Sequence, residues 1–522
     1  MRNIVLTGFM GTGKTTVGRA VARQLGMQFV DTDELIATQA RKPVADIFAT
    51  YGETAFRQME RDVCIKLSAE QDLVIATGGG SLIDAENRRM MEQSSLVICL
   101  TATPEQIATR LQSADITVRP LLVERKEQGI YDLLSKRQES YDSFKYKIDT
   151  TGLSIQQVEE EIMQIAKSIS LTIGYPGGSY PIEIAERSLS FLGSALSQQL
   201  TARSTVTVVA NTVTSKLYGD IAVRSLSDAG FRTSIIIIPD GEQHKTLATV
   251  EQIYNQLLER GMDRGGCIAS LGGGVTGDIA GFAAATFMRG IGFVQVPTTL
   301  LSMLDASVGG KTGVNLAYGK NLVGAFKFPM LVFIDTSLLG TLPYEHIKNG
   351  AAEAIKHGII NDPGLFDALS KGPVTFHPNL VSHALQTKIE VVQEDPYENG
   401  RRRVLNLGHT VGHAIEQVSG YNISHGEAVS MGLVAAARIA AGLKSAQADL
   451  VDQITSALAA WDLPVNIPDI DIDKIMLAMI HDKKTINGTL SYIIPRSIGQ
   501  VEITTKVPAQ LVRLVLRAMK GG

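Results

Sequence analysis

Short apolar runs alternate with stretches of helical periodicity along the first part of the chain. Runs typical of strands occur at 4–6, 73–76 and 96–100. Apolar positions with helical spacing cover 15–25, 53–67 and 154–168. Strands that alternate with amphipathic helices are typical of a parallel sheet flanked by helices. The pattern therefore predicts an α/β domain over residues 1–168.

The pattern changes near residue 169. Apolar and polar positions alternate on both sides of Tyr175-Pro-Gly-Gly178, which predicts a β-hairpin. Further strand runs, again alternating with helices, occur at 206–210, 234–238, 267–271 and 292–296. From 341 to about 480, apolar positions follow helical periodicity, and 491–495 and 500–504 either form a late hairpin or lie in loops. We predict a second domain over 171–522, with an α/β half at 171–340 and a mostly helical half at 341–522.

Composition and charge narrow the class of protein. The chain has 522 residues, of which 44% are hydrophobic and 20% charged, which is enough to build large cores. Its net charge of −4 gives no general attraction to nucleic acid or to an anionic membrane. An apolar run long enough for a membrane span and a signal segment are both missing from the sequence, so we expect a cytoplasmic location. The apolar neighbours of Cys64, Cys99 and Cys267 predict buried free thiols.

A phosphate-binding loop follows the first predicted strand. The run Gly8-Phe-Met-Gly-Thr-Gly13-Lys14-Thr15 matches G-x-x-x-x-G-K-[ST] and opens a predicted helix, which is the context that the motif requires. Backbone N–H groups of such a loop surround phosphates, the lysine reaches the β- and γ-phosphates, and the next hydroxyl can bind Mg²⁺. The motif predicts a nucleotide site but does not identify the acceptor.

Charged residues after this loop indicate the acceptor. Asp31 and Asp33 stand two apart at a strand end, so that one can hold Mg²⁺ through water while the other accepts a hydrogen bond from a substrate hydroxyl. Well-spaced arginines suit a carboxylate on that substrate. The remaining candidates are Arg57, Gly78-Gly-Gly80, Arg119 and Arg137.

This set resembles shikimate kinase across residues 1–168. The resemblance implies a P-loop kinase fold that binds ATP with Mg²⁺ through Gly11, Gly13, Lys14, Thr15 and Thr16, with Thr15 and Asp31 serving the metal. It implies that shikimate, with its 3-hydroxyl next to Asp33, is bound by Asp33, Arg57, Gly79, Gly80 and Arg137. Arg119 would act in catalysis from a lid that closes on ATP.

One feature departs from that family. Gln138-Glu-Ser-Tyr141 follows Arg137, where the family usually has a proline two residues past the arginine. This departure leaves the direction of the arginine side chain open. A kinase for another small polyol, such as gluconate, is the alternative.

A glycine-rich turn in the second domain predicts a dinucleotide site. Gly272-Gly-Gly-Val-Thr-Gly-Asp278 lies between a predicted strand and a predicted helix, although such a turn alone is weak evidence. The run Pro239-Asp-Gly-Glu242-Gln-His-Lys245 stands at another strand end and can bind ribose hydroxyls and phosphate. Pro297-Thr-Thr299 follows a third strand end.

A glutamate and three histidines predict a metal centre. His409 and His413 are four residues apart and share one helix face, and Glu353 and His425 complete the set. The spacing allows both helix histidines as Zn²⁺ ligands, and it equally allows one ligand and one proton carrier. Basic residues beside glycine and apolar positions suit a substrate with a phosphate and a carboxylate: Arg289, Lys311, Lys320, Lys356, Lys388 and Arg402.

Residues 171–522 resemble 3-dehydroquinate synthase throughout. The runs that carry the resemblance, in order, are Gly272–Asp278, Met288–Gly290, Gln295–Leu301, Asp305–Lys311, Gly319–Phe326, Glu353–Gly358, Asn406–Glu416 and His425–Glu427. The resemblance implies a Rossmann-like NAD-binding part followed by a helical metal-binding part. Glu353, His409 and His425 would bind Zn²⁺ (or Co²⁺), and His413 would carry the proton.

The same resemblance assigns the remaining residues. NAD⁺ would be held by Asp240, Glu242, Lys245, Gly273, Gly274, Asp278, Thr298, Thr299, Lys311 and Lys320. The substrate would be surrounded by Arg289, Asp305, Lys311, Lys320, Asn321, Lys356, Lys388, Arg402 and Asn406, with Arg289, Asp305, Lys311 and Lys356 acting in catalysis. Arg402 would reach into the site of a neighbouring subunit, which implies a homodimer.

The two resemblances predict a bifunctional enzyme. One half would phosphorylate shikimate, and the other would convert 3-deoxy-D-arabino-heptulosonate 7-phosphate to 3-dehydroquinate with phosphate release and without net consumption of NAD⁺. The partners would be these small molecules, without nucleic acid or membrane. The alternatives for the second half are a related sugar-phosphate cyclase and a metal-dependent NAD alcohol dehydrogenase of the glycerol dehydrogenase kind.

Overall fold

The computed structural model describes residues 2–112, 128–201, 203–481 and 490–521. The chain divides into two compact units. The first comprises 1–168 together with 191–200, and the second comprises 169–190 together with 201–522. Among the described helices, none combines the length and the apolar character that a membrane span requires.

The first unit is a parallel sheet with helices around it. Its elements are β1 (Asn3–Thr7), α1 (Lys14–Leu25), β2 (Gln28–Asp31), α2 (Thr32–Ala40), α3 (Val44–Ser68), β3 (Leu73–Ala76), α4 (Ala85–Ser94), β4 (Ser95–Thr101), α5 (Pro104–Gln112), α6 (Gln128–Asp142), β5 (Tyr146–Asp149) and α7 (Ile155–Ala166). The strand order is β2-β3-β1-β4-β5, with every pair parallel. The predicted α/β class is confirmed, and the sequence pattern missed β2 and β5.

Side-chain burial explains why these segments form the sheet. Every residue of β1 and β3 is buried, because apolar side chains on both faces pack under the flanking helices. Helix α3 is broken at Gly52, whose φ of 78° lies in the left-handed region. Because β1, β2 and β3 run parallel, their carboxyl ends lie at the same edge of the sheet, and the loops that follow them lie side by side.

The second unit contains a larger sheet and a set of helices. Its elements are β6 (Ile169–Tyr175), β7 (Gly178–Ala185), β8 (Thr205–Asn211), α9 (Asp220–Asp228), β9 (Arg232–Ile238), α10 (Leu247–Glu259), β10 (Cys267–Gly272), α11 (Gly274–Thr286), β11 (Gly292–Pro297), β12 (Lys311–Leu316), β13 (Gly319–Phe326), β14 (Leu331–Asp335), α12 (Tyr344–Asn361), α13 (Pro363–Leu369), α14 (Pro378–Glu394), α15 (His409–Val418), α16 (His425–Gly442), α17 (Leu450–Ala459), α18 (Ile472–His481), β15 (Tyr492–Ser497), β16 (Gln500–Thr504) and α19 (Ala509–Met519). Helix α8 (Leu192–Leu196), which lies between β7 and β8 in sequence, groups with the first unit.

Seven strands of this unit form one sheet in the order β6-β7-β14-β11-β10-β8-β9. The predicted hairpin is present, since β6 and β7 pair antiparallel, while the other pairs of the sheet are parallel. The pattern missed β14 and the separate hairpin of β12 and β13. Strands β15 and β16 form the late hairpin that the sequence left open.

Glycines bring the two helices of the histidine cluster close together. A Cβ at Gly432 in α16 would clash with the carbonyl oxygen of Gly408, and one at Gly412 would lie 2.9 Å from the carbonyl oxygen of Ala428. Glycine at these positions lets α15 and α16 pack with their backbones nearly in contact. The first turns of both helices, which carry the histidines, are thereby held side by side.

Candidate active sites

The phosphate-binding loop has the backbone geometry that an anion site requires. Gly8, Gly11 and Gly13 have φ angles of 128°, 80° and 100°, all in the left-handed region that favours glycine. Gly13 is the N-cap residue of α1. Because glycine has no side chain, Gly13 makes no side-chain hydrogen bond to the first N–H groups of α1. Such a helix start attracts phosphate through its N–H groups and dipole.

Lys14, Thr15 and Asp31 stand together at this loop. The Nζ of Lys14 donates to the carbonyl oxygens of Gly8 and Phe9, both at 2.9 Å, so that the side chain folds back along the loop. The hydroxyl of Thr15 donates to Oδ2 of Asp31 at 2.8 Å. A hydroxyl and a carboxylate beside a phosphate loop are oxygen ligands of the kind that Mg²⁺ uses.

A buried carboxylate, Glu60, holds the arginine of the predicted acceptor site. The guanidinium of Arg57 donates to Glu60 at 2.6 Å and to Glu53 at 3.0 Å. A Cβ at Gly80 would lie 2.8 Å from the Arg57 guanidinium, and one at Gly78 would lie 2.6 Å from Oδ1 of Asp33. The glycines of this loop therefore leave room between Asp33 and Arg57.

Burial disfavours the charged form of Glu60 and raises the pKa of its carboxyl, although the guanidinium of Arg57 acts in the opposite direction.

Tyr141 and Arg137 complete this side of the site. The hydroxyl of Tyr141 donates to the carbonyl oxygen of Gly79 at 2.6 Å, and Arg137 lies near both Tyr141 and Glu60. The structure thus brings Asp33, Arg57, Gly79, Gly80 and Arg137 close to one another. Thr16 is exposed at the start of α1, and Arg119 lies outside the described residues.

A polar network joins three segments of the second unit. Lys245, which is only 4% exposed, places Nζ 2.5 Å from Oδ2 of Asp278 and 2.6 Å from Oδ1 of Asn321. Asn315 donates to Glu242 at 2.7 Å and accepts from the N–H of Asn321 at 2.9 Å. The network connects the loop after β9 with α11 and with the hairpin of β12 and β13.

The glycine-rich turn lies beside this network. A Cβ at Gly273 would lie 3.2 Å from Cγ2 of Thr299, and one at Gly274 would lie 3.2 Å from Cβ of Ala306. Gly273 offers no side-chain cap to α11, so the first N–H groups of that helix face the turn. Thr298 is buried and donates its N–H to Gly272 at 3.0 Å, while Asp240 accepts from Asn211 at 2.6 Å. Gly273, Gly274, Thr298 and Thr299 therefore lie around the start of α11.

Glu353, His409 and His425 converge as a candidate metal centre. Oε1 of the buried Glu353 lies 3.4 Å from Nε2 of His409 and 3.3 Å from Nε2 of His425. One ligand atom from each of the three lies within 4.8 Å of the others. The Nδ1 atoms point away, that of His409 to the carbonyl oxygen of Leu407 at 3.1 Å and that of His425 to Glu416 at 3.2 Å. This arrangement presents two imidazole nitrogens and a carboxylate oxygen to one position, which suits Zn²⁺.

His413 lies beside this centre. Its ring centroid is 5.1 Å from that of His409 and 6.0 Å from that of His425. A second possible ligand group joins His413 with Glu416 and His425. The geometry favours His413 as a neighbour of the metal ligands over a member of the first set.

Lysines surround the acidic centre on the side of α12 and α14. Lys356 pairs with Glu353 and both are buried, while Lys388 pairs with Asp305 at 2.6 Å. Burial lowers the pKa of Lys388 to about 8, although Asp305 favours its charge. Burial disfavours the charge of Asp305, but Lys388 and Lys356 outweigh it and hold the pKa of Asp305 below its usual value.

Glu398 connects two of the predicted substrate residues. It pairs with Lys311 and accepts a 3.0 Å hydrogen bond from Asn406. Burial raises the pKa of the Glu398 carboxyl, yet Lys311 and Asn406 prevail and the pKa is lowered overall. The loop of Glu398 thereby closes one side of the basic cluster.

The two predicted substrate arginines differ in their surroundings. Arg402 is buried within its own chain, where it donates to the carbonyl oxygens of Pro396 and, at 3.0 Å, of Gly309. The reach of Arg402 into a neighbouring subunit, and the homodimer that it implies, remain predictions. Arg289 is exposed with a φ of 69°, and none of the contacts described for the chain joins it to the basic cluster.

Comparison with known proteins identifies the second unit. The family models described as 3-dehydroquinate synthase N-terminal and C-terminal match residues 235–349 and 350–485. A 3-dehydroquinate synthase from Synechococcus sp. is 43% identical over 364 residues, covering 67% of this chain and 99% of that relative. The chain belongs to the 3-dehydroquinate synthase family.

The first unit matches a second family. The model described as Shikimate kinase covers residues 10–167, so the chain is a fusion of a shikimate kinase domain with a 3-dehydroquinate synthase. A shikimate kinase structure from Acinetobacter baumannii is 37% identical, covering 32% of this chain and 93% of that chain, with a TM-score of 0.31. A 2-deoxy-scyllo-inosose synthase structure complexed with carbaglucose-6-phosphate, NAD⁺ and Co²⁺ is 28% identical and covers 67% of this chain and 100% of that chain, with a TM-score of 0.61.

Several polar residues in the two sites were not predicted from the sequence. In the shikimate kinase domain these are Glu60 and Tyr141, and in the synthase they are Asn315, Glu398 and Glu416. Glu60 follows Arg57 by three residues on α3, and Glu416 follows His413 by three on α15. Spacing on one helix face was the available signal for both. Glu398 and Asn315 come from loop and hairpin positions, for which the sequence offered no comparable signal.

Proposed function

We propose that the chain catalyses two reactions of aromatic precursor synthesis. The first unit transfers phosphate from ATP to the 3-hydroxyl of shikimate. The second converts 3-deoxy-D-arabino-heptulosonate 7-phosphate to 3-dehydroquinate with release of phosphate. The observation that carries the proposal is the presence of two separate site geometries, a phosphate loop beside Asp31 and a Glu353–His409–His425 centre, each within its own matched family region.

In the proposed kinase reaction, each of these groups has its own role. The loop and Lys14 hold the phosphates of ATP, and Thr15 with Asp31 offers oxygen ligands to Mg²⁺. Arg57, fixed by Glu60, is suited to bind the carboxylate of shikimate. Asp33, which stands across the glycine loop, accepts the hydrogen bond of the reacting hydroxyl.

The residues of the synthase fit the cofactors that the resemblance implies. The cradle at Gly273 and Gly274 and the uncapped start of α11 suit the phosphates of NAD⁺, and the imidazole and carboxylate atoms at Glu353 suit Zn²⁺ or Co²⁺. NAD⁺ supplies reversible hydride transfer, and the cation supplies polarisation of substrate oxygens. The contacts of Lys245 with Asp278 and of Asn315 with Glu242 support a role for this network in orienting the dinucleotide.

The basic cluster explains the choice of a doubly anionic substrate. Lys311, Lys356 and Lys388 each hold a carboxylate of the protein, so a substrate phosphate or carboxylate can exchange with those partners. His413, beside the metal ligands, is positioned to take or return a proton during ring formation. An alcohol dehydrogenase would not require this set of lysines.

Assays with separate substrates test the proposal. Purified chain is supplied with ATP and either shikimate or gluconate, and separately with the heptulosonate phosphate and substoichiometric NAD⁺. We expect ADP to form with shikimate and not with gluconate. In the second assay, we expect the amount of released phosphate to exceed the amount of NAD⁺ supplied, with no net formation of NADH. Preference for gluconate, or NADH in proportion to product, contradicts the assignment of the corresponding half.

We also propose a cytoplasmic homodimer as the working assembly. The support is the family resemblance, which implies that Arg402 reaches into the site of a neighbouring subunit. Light scattering after size exclusion should give about twice the chain mass of 56.1 kDa. A mass near that of one chain at micromolar concentration contradicts the dimer.

A further inference from the structure

We propose that Glu416 is a positioning residue that fixes His425 for metal binding and links that metal affinity to Lys320. The inference rests on the proposed metal site and adds a residue that the sequence motifs did not assign. Glu416 is buried near the end of α15, and its two carboxylate oxygens have different partners. Oε2 lies 3.2 Å from Nδ1 of His425, and Oε1 lies 3.2 Å from Nζ of Lys320.

The first contact determines how His425 presents its ring. An ionised carboxylate only accepts hydrogen bonds, so Glu416 holds a proton on Nδ1 of His425 and leaves Nε2 as the nitrogen that can bind a cation beside Glu353. Nε2 then points to the side of Glu353, where the three candidate ligand atoms meet. His409 obtains the same orientation from a neutral backbone carbonyl, that of Leu407. Of the two histidines, His425 thus has the charged outer partner, which makes its imidazole the more basic ligand.

The second contact connects the metal centre with a residue of the predicted cofactor and substrate site. Lys320 comes from the hairpin strand β13, and its ammonium lies 4.2 Å from the ring centroid of Tyr421. While Lys320 is bound to Glu416, it neutralises part of the carboxylate charge that His425 experiences. A bound anion that attracts Lys320 leaves more of that charge on His425 and strengthens metal binding. By linkage, the metal strengthens binding of that anion by the same factor.

Metal affinity of the full chain tests the positioning role. Zn²⁺ dissociation constants are measured by competition with a chromophoric chelator for wild type, Glu416→Ala, Glu416→Gln and Gln417→Ala, an exposed neighbour on the same helix. We expect Glu416→Ala to weaken Zn²⁺ binding by about 10- to 100-fold, as loss of an outer partner does. Glu416→Gln keeps an acceptor oxygen and should weaken binding less, and Gln417→Ala should match wild type.

Lys320→Met provides the test of coupling, because its predicted effect has the opposite sign. Lys320→Met should increase Zn²⁺ affinity when Glu416 is present. In the Glu416→Ala background, the increase in affinity caused by Lys320→Met should be smaller by at least about half, as expected for interacting residues. An equal gain in both backgrounds shows a general charge effect and overturns the link. Absorption of the Co²⁺ form should shift in Glu416→Ala and not in Gln417→Ala.

His409→Ala separates failure of this inference from failure of the metal site. If His409→Ala loses Zn²⁺ while both Glu416 variants bind as tightly as Gln417→Ala, the role of Glu416 is wrong and the metal site stands. If His409→Ala binds as wild type does, the proposed metal site itself is wrong. Fluorescence of Trp461, which is fully buried in the same unit, confirms that each variant is folded.

Discussion

The hydroxyl of Thr15 donates a 2.8 Å hydrogen bond to the carboxylate of Asp31. Thr15 lies in the first turn of α1 and Asp31 ends β2, so the fold of the first unit brings a motif residue and a distant acid together. In the second unit, residues from α12, α15 and α16 converge in a comparable way. Each unit therefore builds its own site from its own elements, and the predictions below treat the two sites separately.

Lys14→Ala should remove the kinase activity alone. Loss of the cation that faces the phosphates is expected to lower the rate of ADP formation by about 100- to 1000-fold. Phosphate release from the heptulosonate phosphate should keep the wild-type rate, because Lys14 belongs to the first unit and donates to the carbonyl oxygens of its own phosphate loop. Arg23→Ala, an exposed position on the same helix, is the matched control. Loss of both activities in a folded Lys14→Ala chain contradicts independent sites.

Histidines of the metal centre should differ in metal content. His409→Ala is expected to lose bound metal, whereas His413→Ala should keep it and lose about 100- to 10,000-fold in rate as a missing proton carrier does. Elemental analysis of dialysed protein and a phosphate-release assay measure the two effects. His346→Ala, an exposed histidine, should retain both properties. Metal loss in His413→Ala with retention in His409→Ala would reassign the ligands.

Lys245→Met should destabilise the second unit and weaken NAD⁺ binding. Lys245 and Asp278 have side-chain exposures of 5% and 21%, and removing one partner of a buried pair costs about 3–5 kcal/mol. Burial already raises the pKa of Asp278, which Lys245 opposes, so the lone carboxylate is disfavoured further. Urea unfolding followed by Trp461, the single tryptophan, reports on this unit.

Two further variants make the Lys245 test specific. Lys245→Met/Asp278→Asn should recover part of the lost stability, because it removes the unpaired charge. Lys474→Met, at an exposed position on α18, should leave unfolding unchanged. The account of the pair is wrong if Lys245→Met unfolds at the same urea concentration as Lys474→Met.

The three cysteines should resist thiol reagents in the native protein. Burial raises the pKa of Cys64 to about 11 and of Cys99 and Cys267 to about 12. Since a raised pKa keeps a thiol neutral below that pH, thiolate is scarce at pH 8 and reaction should be slow. An aromatic disulfide reagent should titrate three thiols only after unfolding in guanidinium. Rapid modification of one cysteine in the native chain contradicts its burial.

The sequence was most informative where chemistry depends on short motifs. The loop from Gly8 to Thr15 and the histidines at 409, 413 and 425 could be identified because local spacing determines their geometry. The alternation of elements likewise predicted both sheets, although β2, β5 and β14 were missed. β2 is only partly buried, and its run Gln28–Asp31 has a single pair of adjacent apolar residues, which gives a weak pattern.

Long-range partners account for what could not be predicted. Lys311 meets Glu398 and Asn315 meets Glu242 across 87 and 73 positions in sequence. Such contacts depend on how loops pack after folding, which periodicity does not encode. The enclosure of Arg402 is a further case, because its partners are backbone carbonyls of other segments. Domain limits near residue 169 remain a prediction, although the compact units divide there.

We hypothesise that fusion coordinates the abundance of the two activities without passing an intermediate between them. The two reactions are not consecutive, and the compact units divide at residues 168 and 169. A protease site inserted there should allow cleavage with less than about twofold loss of either rate. An uncleavable linker of the same length serves as the control. A large loss in either half, with the fragments still folded, contradicts the hypothesis.

The central claim is that one chain contains two working enzymes. Phosphorus NMR of the purified chain with ATP, Mg²⁺, shikimate, heptulosonate 7-phosphate, catalytic NAD⁺ and Zn²⁺ tests it most directly. We predict that ADP, a new phosphate monoester and inorganic phosphate appear together. The monoester should vanish in Lys14→Ala, and the inorganic phosphate should vanish in His409→Ala. Appearance of only one set of signals from the wild-type chain would contradict the claim.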